Sequence, residues 1–63
     1  MNSQRNIRKL RSRLIEVSNI LSRNGIDLKL GENPITDTTS EVYWIFVEYK
    51  IILKQLEELG EII

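Results

Sequence analysis

Two stretches of this sequence carry apolar residues in alternating steps of three and four. The first runs Ile7, Leu10, Leu14, Val17, Leu21; the second runs Val42, Ile45, Tyr49, Ile52, Leu56, Leu59, Ile63. Such steps put every member on one stripe of an α-helix but scatter them over both faces of a strand. The chain is therefore expected to be all-α, built on two helices with coiled-coil-like heptad seams.

Signals at the ends of each stretch set the expected bounds. Ser3 is a candidate cap for the first helix. Asn24-Gly25 is a stop signal: Gly25 suits the left-handed residue after a helix, and Ile26 is placed to pack back onto the last turn. The first helix is expected over about residues 3 to 24, about 33 Å long. Thr38 and Glu41 have capping-box spacing, and Gly60 can end the second helix. That helix is expected over about residues 39 to 59, about 31 Å long. The matched lengths favour a single antiparallel hairpin domain spanning residues 1–63.

The connector, residues 25–38, is long for a helix–helix link. Ile26, Leu28 and Leu30 alternate with Asp27 and Lys29, the period of an extended strand. Gly31-Glu32-Asn33-Pro34 then signals a turn. In one reading the three apolar side chains cover the end of the helical core. In a second, two such short strands pair across a dimer. An isolated strand pair is marginal in water, which favours the first.

The second helix carries two stripes. Phe46 and Leu53 widen its seam to about 140°. Trp44, Val47 and Ile51, spaced three and four, lie on nearly the opposite side. A hairpin can bury the first stripe against the first helix but not both. A monomer in water seldom leaves Trp, Val and Ile contiguous and bare. The expected remedy is a homodimer of two hairpins forming a four-helix bundle, or docking on a regulatory or host protein partner. The alternative is that the connector folds back over Trp44. Trp44, Val47 and Ile51, with Phe46 and Leu53, form the candidate oligomer or partner interface.

Charge divides the chain in the same way. Formal net charge is zero, with nine cations and nine carboxylates. Yet residues 1–24 hold Arg5, Arg8, Lys9, Arg11, Arg13 and Arg23 against Glu16 alone, while residues 25–63 hold three Lys against eight carboxylates. Arg11 and Arg13 flank the seam, where bridges between helices form. Arg5, Arg8, Lys9 and Arg23 gather on the outer side and are the candidates for an external electrostatic contact. Arg suits bidentate phosphate recognition, so nucleic acid is the alternative partner. A sequence pI near 6.2 counts against it.

Composition narrows the chemistry. The 63 residues include no Cys and no His. A disulfide framework, a thiolate zinc site and the commonest general base are thereby excluded. Glu57, Glu58 and Glu61 read as a solvated helix end, the three glycines form no phosphate loop, and Ser12, Ser18, Ser22 and Ser40 have no evident base. No catalytic residue, cofactor or metal site is expected. The most apolar run, Val42 to Leu53, is too short to cross a bilayer, and Glu48 and Lys50 interrupt it. With no signal-peptide pattern, the expected location is the cytoplasm. The chain has no Ala and ten Ile, a bias associated with AT-rich genes such as those of many viruses, plasmids and low-GC bacteria, and a phage, viral or plasmid origin is the expectation. The overall expectation is a small, non-enzymatic regulatory protein working through protein–protein contacts.

Overall fold

A computed structural model describes residues 3–29 and 31–60; the side chain of Ser3 is outside the description. The expectations placed on Leu30, Glu61 and Ile63, and on Ser3 as a cap, lie outside the described residues. Two helices make up the fold: α1, Ser3–Arg23, and α2, Glu41–Glu58. They pack against each other, and among the described residues there is no strand. Arg13 of α1 meets Glu48 of α2, while Asn6 and Leu10 share a groove with Gln55 and Leu59. The helices therefore run antiparallel. The molecule measures 39 × 18 × 18 Å, two helix diameters across, with no further layer.

The seam forms the core. Val17 and Leu21 of α1 interlock with Phe46, Tyr49, Ile52 and Leu56 of α2, all at 8% exposure or less. Ile7, Leu10, Leu14, Val42, Ile45 and Leu53 pack half-buried around them. Two placements differ from expectation. Phe46, counted from sequence with the interface residues, is 1% exposed and belongs to the hairpin core; Leu53 packs half-buried against that core. Leu59, expected in the seam, is 48% exposed. α2 ends at Glu58, so Leu59 is its C-cap and lines the open groove beside α1 without being buried in the seam.

The end of α1 is built as the sequence suggests. The Gly25 N–H donates to the Ser22 carbonyl and the Ile26 N–H to the Leu21 carbonyl, both at 3.0 Å. This is a complete Schellman pair of bonds. It requires a left-handed residue at Gly25, where φ is +74°, and it returns Ile26 to the core.

The start of α2 differs. Its cap is Ser40, not Thr38: the Ser40 hydroxyl accepts from the Val42 N–H at 3.2 Å. Asp37 sets this register, since its carboxylate accepts the Thr39 N–H and hydroxyl, and its carbonyl accepts the Ser40 N–H. Side-chain turns like this one also shape the connector. Asp27 accepts from the Lys29 N–H, and Asn33 accepts from the Ile35 N–H. The Asn33 amide donates to the Tyr43 carbonyl at 3.0 Å, tying the connector to α2. Ile26, Leu28 and Ile35 pack onto the core. Among its described residues the connector is thus a cover over one end of the hairpin and not a strand.

Candidate functional site: the outer face of the second helix

α2 has more apolar surface than α1 can cover. The seam faces inward, so residues about half a turn away face outward. Trp44 is 57% and Ile51 51% exposed, with Val47 half-buried between them. The structure thus brings together three of the five candidate interface residues and takes Phe46 and Leu53 into the hairpin. The Trp44 indole N–H donates to the Thr38 carbonyl at 2.8 Å, and its ring meets Tyr43 edge-on at 4.9 Å. The connector therefore holds Trp44 in place through its polar end but does not cover the ring. Its polar atom is satisfied, and what remains bare is apolar area, the property of a docking surface.

One flank of this face is fixed by an ion pair. Arg13 donates from Nε to Glu48 Oε2 at 2.7 Å and from Nη2 to Glu48 Oε1 at 2.8 Å. Its Nη1 also lies 3.6 Å from Glu16 Oε1. The Arg13 hydrogen bond holds the Glu48 carboxyl below its ordinary range, and Glu48 in turn raises Arg13. The bidentate fork joins α1 to α2 with a defined geometry. On the other side of α2, the Lys50 ammonium lies 5.5 Å from the Phe46 ring centre and 5.9 Å from that of Tyr49. Its stem shields the rim of the core, and its charge meets the aromatic faces.

The outer face of α1 is basic. Arg5, Arg8, Lys9 and Arg23 are exposed, as expected. Arg23 donates from Nε to the Asn19 carbonyl at 3.3 Å, a bond to the last turn of its own helix. Among the described residues no carboxylate pairs with Arg5, Arg8 or Lys9. One residue of this face was not singled out from the sequence: Ile15, 63% exposed, more so than any other large apolar side chain described. It lies off the seam rhythm, so periodicity gave no reason to notice it.

At the open end of the hairpin, Asn6, Lys9, Leu10, Arg13, Gln55, Glu58 and Leu59 line a groove of about 570 Å³. It is open to solvent along its length. Among the described residues no group of His, Cys, Asp and Glu is gathered to hold a metal ion. No helix there is long and apolar enough to cross a membrane. Glu57 and Glu58 are exposed at the end of α2. Comparison of the chain with protein-family models, curated proteins and solved structures finds no match.

Proposed function

We propose that this protein is a small, non-enzymatic interaction module whose working surface is the outer face of α2. One observation carries the reading: Trp44 and Ile51 stay more than half exposed although the hairpin has already closed its core without them. Trp anchors dominate protein–protein contacts. Self-association is the favoured form of docking. A chain of 63 residues without disulfides buries a small core, and oligomerisation is the usual supplement. The homodimeric four-helix bundle is the smallest closed assembly of this kind. Through such a surface the protein would act as a regulator, by pairing with itself or with another protein.

The test is absolute mass in solution by light scattering across a range of concentrations, for the parent chain and for Trp44→Ala and Val47→Asp. The expected result is an assembly larger than one chain that both variants reduce to folded monomers. A parent chain that stays monomeric at every concentration overturns self-association. A second reading, contact with nucleic acid phosphates, is favoured by the exposed basic face of Arg5, Arg8 and Lys9, which no carboxylate among the described residues pairs with. It requires an affinity that falls steeply with salt as counterions are no longer released.

A further inference from the structure

We infer that the partner of the α2 outer face is α1 of a second copy of this chain, seated antiparallel, with Ile15 set against Ile51. The inference rests on the docking reading above and specifies its occupant.

Two rows of exposed side chains carry it. On α1, Arg8, Ile15 and Ser22 follow one another at seven-residue steps. On α2, Trp44, Ile51 and Glu58 do the same. Seven residues are nearly two helical turns, so each row is a line along its helix with drift of only about 20° per step. All six residues are exposed. With Ile15 opposite Ile51, antiparallel helices bring Arg8 level with Glu58 and Ser22 level with Trp44. An apolar centre is then flanked by opposite charges at one end and by a large side chain over a small one at the other. The parallel arrangement sets Arg8 against Trp44 and leaves Glu58 beside Ser22 with no cation opposite.

Charge favours a second copy over a foreign chain. α1 is the basic element and α2 belongs to the acidic part of the same neutral molecule. α1 on α2 is therefore the pairing that brings together helices of unlike net charge, with six cations against Glu16 on α1 and four carboxylates against two lysines on α2.

The two rows lie on different flanks of the hairpin. The Arg13–Glu48 bridge marks one flank. Trp44 and Ile51 stand four residues before and three after Glu48, on that side of α2. Ile15 is two residues from Arg13, about 200° around α1, toward the other flank. The contact is therefore heterologous, joining unlike surfaces, and it extends head-to-tail or closes as a ring instead of stopping at a two-fold dimer.

The test uses light scattering and sedimentation on the full chain and on Arg8→Glu, Glu58→Arg, their double variant, Ile15→Asp and Ile51→Asp, each checked for helical signal. Parent chain mass is expected to pass that of a dimer as concentration rises. Ile15→Asp abolishes this. Each single charge reversal weakens association about five-fold, the upper range for an exposed pair, while the double variant and an equimolar mixture of the two singles regain it. A fixed dimer that Ile51→Asp dissociates, but that Ile15→Asp and the charge reversals leave unchanged, overturns the row pairing and keeps the docking reading. A monomer at all concentrations overturns the row pairing together with self-association.

Discussion

Phe46 and Trp44 are two residues apart and are 1% and 57% exposed. Two residues are about 200° on a helix, so neighbours of similar chemistry are sent to opposite environments. Their substitutions should differ accordingly. Phe46 is the largest fully buried side chain. Replacing a buried Phe with Ala costs about 3–5 kcal/mol. A 63-residue domain has a total stability of only about 3–9 kcal/mol at the usual value per residue. Phe46→Ala is thus expected to leave much of the chain unfolded at room temperature. Trp44→Ala removes one hydrogen bond and one edge-on ring contact, about 1 kcal/mol, and leaves it folded. Urea titrations followed by circular dichroism check this. Equal midpoints for the two variants would show that the placement of Phe46 is wrong. The sequence pattern puts Phe46 on the inner stripe but does not say how wide a stripe α1 covers. That width depends on how closely the helices approach, which only the packed structure supplies. Ile15 was missed for a related reason: one apolar residue out of rhythm on a polar helix has no periodic signal.

At the scale of elements, the two helices and their stop signals were legible because each rests on local chemistry. Heptad spacing fixes a helix face, and Gly25 alone can meet the left-handed angle of the Schellman turn without strain. The start of α2 was legible only to within two residues. Thr38, Thr39 and Ser40 can each cap a helix, and the choice falls to Asp37, whose turn consumes Thr39 and leaves Ser40 as the cap. The connector's role as a cover was legible in Ile26 and Leu28, but Ile35 and the Asn33 tie to Tyr43 were not, since both depend on a fold-back of the chain. The Arg13–Glu48 bridge also joins the helices, and it has a pH signature. The Glu48 carboxyl is held below its ordinary value of 4.5, chiefly by the Arg13 hydrogen bond. The unfolded chain thus takes up this proton more readily than the folded one. The stabilisation is complete above pH 4.5 and is lost as pH falls through the lower folded value. Arg13, raised above its ordinary value by the same contact, adds nothing to the acid limb. Its side chain and that of Glu48 are 41% and 39% exposed, so solvent screens the pair and the effect is modest. Asp37, lowered from 3.8 chiefly by the Thr39 hydroxyl, titrates in an overlapping window. The comparison is therefore between the parent chain and Glu48→Gln, whose melting temperature should fall less steeply below pH 4.5. Parallel acid limbs would show that the bridge contributes nothing to stability.

For the whole molecule, the apolar inventory exceeds what one hairpin encloses. Among the described residues six apolar side chains are buried, while Ile15, Trp44, Ile51 and Leu59 remain about half exposed or more. The excess lies on the outer faces of both helices, and the charges of the two halves are opposed. Folding and association are then linked, since the outer rows exist as surfaces only once the helices have formed. Any contact made by the folded chain and not by the unfolded one raises apparent stability by mass action. For two chains sharing one contact, a tenfold rise in concentration above the dissociation constant is worth about 0.7 kcal/mol per chain, or about 3–6 °C in a domain of this size. The melting temperature should therefore climb with protein concentration in calorimetry, and Ile51→Asp should flatten that dependence while leaving the dilute limit nearly unchanged. The dilute limit then reports the hairpin alone, and the slope reports the outer faces. A melting temperature independent of concentration would mean that the hairpin stands alone, with Trp44 and Ile51 as bare surface.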